Sequence, residues 1–418
     1  MQPQSVASRE HQFVPPKRIN FILTNQCNLR CVYCPEGSHP EDYYAELSDE
    51  SFEEIVSFVR ENGVREVGMA YYGELTMVRD WWKKARQLLD LGVALTATTN
   101  GHLPLSADEI STFARFKYIE YSIDSHDEET VRKVRKKTSV ARIVHNFHLV
   151  RAYCLQHNLT PPDLVWTGVL THHIVHQLPG FVAFAASNGV QRINFNEVAI
   201  YEGAVENGLN VVDMQIGDFE AAVASIEAAM NLAKVHNIQL NVGELPRIRA
   251  RQDHLDLNAA LVARDTVIAP TLNHTEGDTV PAGYTRDCGA PWNELYLDPK
   301  GRVFACCNRG DVMGIAKTSA QIKSVFSNSK YQELRRSLAT GVNLDPACAT
   351  CAIRPVISVD VPKNNFRMQK FKGNIAYYLR NYPAILQGLR TAARVGRLFL
   401  SITPKGTGLV RKKSIPPS

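Results

Sequence analysis

The feature that most constrains the fold is a regular alternation of short apolar runs with amphipathic segments between residues 18 and 242. Runs such as RINFILT (18–24) and KYIEYSID (117–124) have the length and composition of strands. The segments between them, such as 47–62 and 218–237, carry apolar residues at helical spacing. Strands that alternate with helices predict βαβ units and a parallel sheet. Six or seven such units favour a barrel or part of one.

We therefore predict an α/β fold built on a partial (β/α)6 TIM-like barrel over residues 18–245. Residues 1–17 are expected to be a flexible lead and 246–287 a connector rich in Thr, Gly, Asp and Pro. A small cysteine-rich α+β module is predicted over 288–355, followed by a basic amphipathic helical tail over 356–418. In barrels of this kind, functional side chains lie at the C-terminal ends of the strands.

The composition is ordinary for a globular chain and excludes several classes of protein. Of the 418 residues, 44% are hydrophobic and 21% are charged, which rules out a wholly disordered protein and a collagen-like fibre. No uncharged apolar run approaches the ~20 residues needed to cross a bilayer, so a multi-span membrane protein is excluded. The N-terminal segment is polar and lacks the apolar core of a signal peptide. We expect a cytoplasmic protein.

The charge is divided unevenly along the chain. The total is +5, from 47 Lys and Arg against 42 Asp and Glu, yet residues 361–418 contain 12 basic residues and no acidic ones. Apolar residues at helical spacing over 374–402 predict an amphipathic helix with a basic face. Such a tail can associate peripherally with an anionic membrane, pack on the acidic remainder of the chain, or bind a carrier protein. Nucleic acid is not expected, because the tail has no platform of interleaved aromatic and basic residues.

The nine cysteines fall into two groups, which indicates two metal sites rather than a disulfide framework in a reducing compartment. The first group is Cys27-Asn-Leu-Arg-Cys31-Val-Tyr-Cys34, directly after the first predicted strand. Three thiolates on one loop can hold three irons of a [4Fe–4S] cube and leave the fourth iron open. A zinc site is the alternative, but zinc usually takes four protein ligands, and His39 is the only local candidate for the fourth.

This spacing, with the aromatic Tyr33 just before the third cysteine, resembles the signature of the radical S-adenosylmethionine (radical SAM) superfamily. The resemblance implies a [4Fe–4S] cluster whose open iron binds S-adenosyl-L-methionine. It also implies reductive cleavage of that cofactor to a 5′-deoxyadenosyl radical, which abstracts a hydrogen atom from the substrate. The radical chemistry belongs to the cofactor, whereas the protein supplies orientation and excludes water.

Polar motifs at the ends of the following strands agree with this resemblance. Residues 72–74 resemble the family's Gly-Gly-Glu motif, which holds the cofactor amine, with Tyr72 in place of the first glycine. Residues 122–124 resemble the segment that binds the ribose hydroxyls, and Arg135 matches an arginine that meets the cofactor carboxylate. Each motif alone is a weak signal, because a Ser or Asp at a strand end is more often a helix cap, and their order along the chain makes the set specific. The predicted cofactor-binding residues are Tyr33, Tyr72, Gly73, Glu74, Asn100, Ser122, Asp124 and Arg135.

The second cysteine group resembles the C-terminal SPASM module of radical SAM enzymes, which carries auxiliary iron–sulfur clusters. The full module has more cysteines than the five found here, so the resemblance implies one auxiliary [4Fe–4S] cluster. Its predicted ligands are Cys288, Cys306, Cys348 and Cys351. Cys307 is an alternative to Cys306, because adjacent strand residues point to opposite faces. A structural zinc on the same thiolates is the other alternative.

Cys307 is also the one residue for which we predict a catalytic role, as a hydrogen-atom donor. The alternative is a small buried hydrophobe. Cys154, on the helix after the fourth predicted strand, is expected to be structural.

The sequence therefore predicts a radical SAM oxidoreductase or tailoring enzyme with redox help from an auxiliary cluster. The expected substrate is a small molecule such as a sugar or aminocyclitol, and the expected electron source is a reductant such as flavodoxin or ferredoxin. The first alternative is a radical SAM/SPASM maturase that modifies a ribosomally synthesised peptide. The second alternative is a non-catalytic zinc-binding or RNA-binding protein.

Overall fold

The computed structural model describes most of the chain between residues 13 and 359. The described residues are 13–34, 43–69, 71–198, 208–243, 245–262, 280, 283–307, 310–349, 351, 354 and 356–359. Most of the predicted lead and the tail from residue 360 onward lie outside them, so the predictions made for those segments stay untested. No helix in the described ranges is long and apolar enough to cross a bilayer.

The N-terminal part of the described chain is a run of parallel strands connected by helices. The strands are β1 (Arg18–Phe21), β2 (Glu66–Gly68), β3 (Ala94–Thr99), β4 (Tyr118–Ser122), β5 (Asp163–Val169), β6 (Arg192–Asn196) and β7 (Gln239–Val242). The helices are α1 (Asp49–Asn62), α2 (Trp81–Asp90), α3 (Ala107–Phe113), α4 (Glu128–Arg135), α5 (Val140–Gln156), α6 (Leu178–Ser187) and α7 (Ile216–Val235). Each strand pairs in parallel with the next one along the chain.

The C-terminal part is a smaller α+β region. Its elements are α8 (Leu245–Val262), β8 (Tyr284–Arg286), α9 (Ala290–Asn293), β9 (Glu294–Leu297), β10 (Arg302–Phe304), β11 (Gly314–Ile315), α10 (Ser319–Phe326), α11 (Ser329–Thr340), α12 (Pro346–Ala349) and β12 (Val356–Ser358). The β9–β10 hairpin turns at Gly301, which has φ +79°, a conformation that glycine adopts without strain.

The hairpin belongs to the same sheet as the barrel strands. The ten-stranded sheet has the order β11-β10-β9-β1-β2-β3-β4-β5-β6-β7. β9 lies parallel to β1, with Arg18 opposite Glu294 and Phe21 opposite Leu297. The two outermost strands, β11 and β7, do not pair with each other, so the sheet stays open. This arrangement confirms the predicted α/β fold with a partial barrel.

Residues 128–156, whose sequence predicts one continuous helical stretch, form two helices. Lys136 and Lys137 take positive φ values of 47° and 54°, which end α4 and turn the chain before α5 begins. A further helix, α8, lies in the segment that the sequence indicated to be a loop-like connector. Ile248 in that helix is buried in the main core, and this packing favours the helix over the loop suggested by local composition.

The core lies between the sheet and its helices, whereas the other face of the sheet is polar. Trp166 of β5 packs against Phe147 of α5 and Phe181 of α6, with ring centroids 5.6 and 5.7 Å away. On the opposite face, Glu120 of β4 accepts hydrogen bonds from Thr98 of β3 at 3.2 Å and Asn194 of β6 at 3.4 Å. This polar inner face borders the C-terminal strand ends where the candidate site lies.

Candidate active site

The first cysteine group lies on a loop that follows β1 and is clamped by the end of α4. The amide of Val32 donates to the Val134 carbonyl at 2.8 Å, and the amide of Arg30 donates to the Arg135 carbonyl at 3.4 Å. The Cys31 thiol contacts the same Arg135 carbonyl at 3.8 Å. The break after Arg135 therefore places the C-terminal turn of α4 against the cysteine loop.

Nitrogen donors hold the Cys27 thiol, and burial affects both Cys27 and Cys31. The Cys27 sulfur accepts from the Leu29 amide at 3.4 Å and from Asn100 Nδ2 at 3.6 Å. Burial raises the pKa of Cys27 to about 12, with the nearby Glu74 carboxylate adding to the effect. Burial likewise raises the pKa of Cys31 to about 12, against the lowering effect of Arg135. Both shifts favour the protonated thiol over the thiolate.

The donor set fits an iron–sulfur cluster. Cluster ligands are thiolates, and hydrogen bonds to their sulfurs tune the cluster, as the two nitrogen donors to Cys27 would do. In the described residues, no three His, Cys, Asp or Glu side chains already converge as a metal-ligand set. The Cys31 thiol donates to the Arg135 carbonyl, so the direction of its sulfur in this structure is set by that hydrogen bond. Binding a cluster would release these protons.

Glu74 is a buried carboxylate at the centre of the strand-end motifs. One oxygen, Oε1, accepts from the hydroxyls of Thr99 at 2.7 Å and Thr76 at 2.8 Å. The other, Oε2, accepts from the Asn100 amide at 2.7 Å. Because the Asn100 side chain also reaches the Cys27 sulfur, the motif ends of β2 and β3 are tied directly to the cysteine loop.

Gly73 passes very close to the chain that leads into the cysteine loop. It has φ +69°, and a Cβ atom there would lie 2.1 Å from the Thr24 carbonyl oxygen and 2.9 Å from Asn25 Cα. The next amide, of Glu74, donates to the Gln26 carbonyl at 2.8 Å. A glycine is required here because no side chain fits between the two backbones.

Asp124, Arg135 and Tyr33 form a buried cluster beneath the same loop. Asp124 accepts from Arg135 Nε at 2.6 Å, from the Tyr33 hydroxyl at 3.0 Å and from the Val169 amide at 2.8 Å. Burial alone would lower the pKa of Arg135, but the charge of Asp124 holds it above its usual range. These residues bind one another in this structure. Their predicted contacts with S-adenosylmethionine stay predictions, as does that of Ser122, the half-buried last residue of β4.

Tyr72 links the strand-end motif to the C-terminal module. Its hydroxyl donates to the carbonyl of Cys307 at 3.1 Å. The ring of Tyr71 packs edge to face on both Tyr72 and Tyr296, with centroids 5.1 Å away in each case. The side chain in the first glycine position of the motif therefore contacts a residue more than two hundred positions away.

The module places Cys288 and Cys351 near each other from separate elements. Arg286 of β8 donates to the Ala349 carbonyl at 2.6 Å and to the Arg354 carbonyl at 3.0 Å, which holds the turn around Cys351 against β8. Burial raises the pKa of Cys288, and Cys351 is close enough to raise it further. Cys348 packs against the main core from within α12. Whether Cys306 or Cys307 joins these residues as a ligand stays a prediction.

Cys307 is exposed, yet the protein around it raises the pKa of its thiol. Burial is the main cause of the raised pKa and the Glu294 carboxylate adds to it, whereas the Tyr296 hydroxyl lowers it. Cys154 is buried in α5, where burial raises the pKa of its thiol.

Sequence reasoning did not identify two functional residues of this region, Arg286 and Tyr296. Arg286 lies two positions before Cys288, and Tyr296 occupies an alternate position of the β9 strand that faces the same side as Glu294. Strand alternation could have placed Tyr296 on the inner face. No sequence signal could have paired Arg286 with carbonyls some sixty residues later.

Two family models match this chain. Residues 21–160 match the radical SAM superfamily, and residues 288–352 match the iron-sulfur cluster-binding domain called SPASM. The chain therefore carries a segment that matches the radical SAM superfamily, followed by a segment that matches the SPASM domain, as predicted. This pair of domains uses S-adenosylmethionine, the [4Fe–4S] cluster that binds it, and auxiliary iron–sulfur clusters.

Curated relatives fall into two kinds. A GTP 3′,8-cyclase from Rhodopirellula baltica is 32% identical over 133 residues, which are 30% of this chain and 36% of that protein. A PqqA peptide cyclase from Bradyrhizobium diazoefficiens is 20% identical over 364 residues, which are 84% of this chain and 82% of that protein. The mycofactocin maturase MftC from Mycolicibacterium smegmatis is 28% identical over 45% of this chain and 46% of its own length. The chain spans about a third of the length of the GTP cyclase that it matches.

Solved structures share the fold. SuiB of Streptococcus suis bound to its precursor peptide SuiA covers 83% of this chain and 72% of its own, with 14% identity and a TM-score of 0.55. The enzyme anSMEcpe with bound AdoMet covers 76% of this chain and 82% of its own, with 14% identity and a TM-score of 0.51.

Proposed function

We propose that this chain is an oxidoreductase that modifies a ribosomally synthesised peptide. The observation that carries the proposal is the alignment with the PqqA peptide cyclase, which spans 84% of this chain and 82% of that protein. The GTP cyclases, which act on a small molecule, match only about 30% of it. The comparisons therefore favour the peptide alternative over the sugar or aminocyclitol substrate predicted first.

The shape of the sheet supports a chain-like substrate. A closed barrel admits molecules only through its ends, whereas the described strands form an open sheet in which β11 and β7 are not paired. Carboxamides project from the strands nearest that opening. Asn241 Nδ2 donates to Asn194 Oδ1 at 2.7 Å, and Asn196 Nδ2 donates to the Thr167 hydroxyl at 3.3 Å. Carboxamides offer both donors and acceptors, as peptide backbones require.

The residues of the site are either expected cluster ligands or residues that position the cysteine loop. Cys27, Cys31 and Cys34 would hold the cluster. Together with bound S-adenosylmethionine, the cluster would supply the radical that abstracts a hydrogen atom from the substrate. Asn100 orients the Cys27 sulfur through its hydrogen bond. The Asp124–Arg135 pair holds the α4 turn on which the loop rests. These residues act by fixing the loop and by keeping water away from it.

Iron content is the first measurement that tests this proposal. Anaerobically purified protein should be brown and contain about eight irons per chain, as two cubane clusters require. Cys31→Ala should lose about half of this iron, while Cys154→Ala, a buried cysteine outside both groups, should keep all of it. A colourless protein that holds zinc would overturn the proposal and favour the zinc-binding alternative.

Substrate class needs a second measurement. The enzyme is reduced with a flavodoxin or ferredoxin and supplied with S-adenosylmethionine. One sample then receives the peptide fraction of a cell extract, and a second sample receives the small-metabolite fraction of the same extract. We expect 5′-deoxyadenosine to form together with a mass change in a peptide. A mass change confined to a metabolite would restore the small-molecule alternative. The tail predicted to meet a membrane or carrier lies outside the described residues, so that partner stays a prediction.

A further inference from the structure

The inner face of the sheet borders a cavity that lies away from the cysteine loop. It has a volume of about 420 Å³, a size typical of ligand sites. Among its lining residues, Arg18, Glu66 and Tyr118 are the first residues of β1, β2 and β4. Glu120 also lines it and stands four residues before Asp124, which is about 13 Å along an extended chain. The cavity therefore lies at the N-terminal half of the strands, separate from the strand-end motifs.

The two cations in the wall of this cavity share one carboxylate. Glu66 accepts from Arg18 at 2.8 Å through one oxygen and from Lys117 at 2.7 Å through the other. The two remaining nitrogen atoms of the Arg18 guanidinium donate to Asn20 and Thr96, each at 2.8 Å. Every nitrogen of Arg18 thus has a partner, while the largely exposed Lys117 is also solvated by water.

Glu120 differs, because its partners are neutral. Its oxygens accept from the Tyr118 hydroxyl at 2.5 Å, the Thr98 hydroxyl at 3.2 Å and the Asn194 amide at 3.4 Å. Burial raises the pKa of Tyr118 and the Glu120 charge raises it further, so the phenol keeps its proton and remains a donor. No ion pair joins Glu120 to a Lys, Arg or His anywhere in the described ranges.

This environment favours a cation beside Glu120. The side chain is half-buried, and a carboxylate that is partly withdrawn from water gains most from an oppositely charged partner. Each carboxylate oxygen has two accepting positions, and Oε2 accepts from Thr98 alone. The neighbouring strands offer no spare cation, because Arg192 at the start of β6 already pairs with Asp163 of β5. A cation for Glu120 would therefore come from a bound molecule.

We propose that Glu120 binds a cationic side chain of the peptide substrate, either a lysine ammonium or an arginine guanidinium. The inference rests on the proposed function, because it assigns a feature to that peptide. An extended peptide covers about 13 Å in about four residues. The basic residue can therefore lie that far from the carbon that loses its hydrogen at the strand ends. Glu120 is a specificity-determining residue and takes no part in the chemistry.

The first test removes the cation from the substrate. The peptide fraction of a cell extract is divided into three portions. One portion is left untreated, one is treated with acetic anhydride to neutralise ammonium groups, and one is treated with phenylglyoxal to block guanidinium groups. Each portion is given to reduced holoenzyme with S-adenosylmethionine, and the peptides modified by the enzyme are quantified by mass spectrometry.

One of the two treatments should lower modification by wild type at least about tenfold, as expected when a charge-assisted hydrogen bond loses one partner. A loss with acetic anhydride identifies an ammonium, and a loss with phenylglyoxal identifies a guanidinium. Unchanged modification after both treatments would overturn the proposal. This arm needs no variant, so a folding defect in a variant would not affect it.

The second test removes the carboxylate. Glu120→Gln keeps the size of the side chain and one acceptor oxygen, and it should retain the iron content of wild type. Modification of the untreated fraction should fall at least about tenfold. The blocking treatment should then cause little further loss, because the charge that it removes no longer has a partner. An equal fold-loss on blocking in wild type and in Glu120→Gln would place the partner of the cation elsewhere and refute the assignment.

Glu109 offers a matched control outside the cavity. It is also half-buried and accepts from neutral donors, Trp81 Nε1 at 2.6 Å and the Ser106 amide at 2.7 Å, but it lies on α3. Glu109→Gln should modify untreated peptides as wild type does and lose the same fraction on blocking. A loss as large as that of Glu120→Gln would mean that removing any half-buried carboxylate has this effect, which would contradict the specific role of Glu120.

Failure of this inference can be distinguished from failure of the proposed function. If wild type modifies untreated peptides and tolerates both blocking treatments, the proposed function stands and the inference fails. If wild type modifies no peptide at all, the proposed function fails and the inference fails with it.

Discussion

At the scale of single residues, the cysteine loop depends on close backbone packing at Gly73. The positive φ and the 2.1 Å approach of a built Cβ to the Thr24 oxygen are two separate obstacles to any other residue. Gly92 also has a positive φ, +78°, but nothing lies within 4 Å of a Cβ atom built there, so it lacks the steric clash. The pair therefore isolates the steric clash from backbone strain.

Gly73→Ala should abolish iron binding at the first cysteine group, because the clash pushes residues 24–26 away from β2. Gly92→Ala carries only the strain of a left-handed backbone, about 1–2 kcal/mol, and should retain full iron content. Iron analysis of both variants, with circular dichroism to check folding, measures the difference. Equal iron content in the two variants would mean that the approach at Gly73 is not required.

A second residue-scale contact is the buried pair of Asp124 and Arg135, whose side chains are 0% and 7% exposed. Asp124→Asn should lower the free energy of unfolding by about 3–5 kcal/mol, because it leaves a buried guanidinium unpaired. Asp90→Asn removes a partner from the exposed Arg115–Asp90 pair and should cost about 0–1 kcal/mol. Urea unfolding of both variants provides the comparison, and similar losses would contradict the buried role.

At the scale of elements, α4 joins the loop to the barrel. Its C-terminal carbonyls accept from the cysteine loop, and its N-terminus is capped by Asp127, whose side chain accepts from the Thr130 amide at 2.8 Å. That hydrogen bond lowers the pKa of Asp127. The carboxylate therefore stabilises the helix above its unfolded pKa and loses this effect as pH falls through its lower folded value.

Asp127→Ala should reduce stability at neutral pH by about 1 kcal/mol, because one amide of the first turn loses its acceptor. Asp127→Asn keeps an acceptor at every pH. The difference in unfolding free energy between wild type and Asp127→Asn should therefore change as pH falls below about 4, the ordinary range for an aspartate. Urea titrations from neutral to acidic pH measure it. A constant difference across that range would show that Asp127 does not cap α4.

At the scale of the whole molecule, the C-terminal module and the barrel share one sheet. β9 pairs with β1 over four residues, so one strand pairing of the described sheet joins the C-terminal module to the barrel. Removal of the module would expose a buried edge of β1 to solvent and to other chains.

A chain that ends at residue 287 should therefore aggregate or fail to fold, whereas a chain that ends at Val359 should keep the full sheet. Calorimetry of the longer chain should give one cooperative transition, because a shared sheet unfolds as a unit. Two well-separated transitions, or a soluble folded fragment that ends at residue 287, would contradict this coupling.

Particular elements show how far sequence reasoning extends. The Ser48 cap of α1 and the Gly341 end of α11 could be predicted, because caps are local and carry their own residue types. The break at Lys136 and Lys137 could not, because neither residue favours positive φ and the turn is imposed by packing. Helix α8 was not predicted, because the Thr, Gly, Asp and Pro content of residues 246–287 taken together indicated a connector.

The sequence by itself determined the class of chemistry. Cysteine spacing and the order of strand-end motifs are local features, so they indicated the radical SAM and SPASM domains and their cofactors directly. The tertiary structure decided what depends on distant contacts: the pairing of β9 with β1, the closure of Asp124 onto Arg135 and the approach of Tyr72 to Cys307. These contacts join residues that lie from eleven to more than two hundred positions apart. No local pattern encodes them, because their free energy arises only when the sheet brings the two segments together.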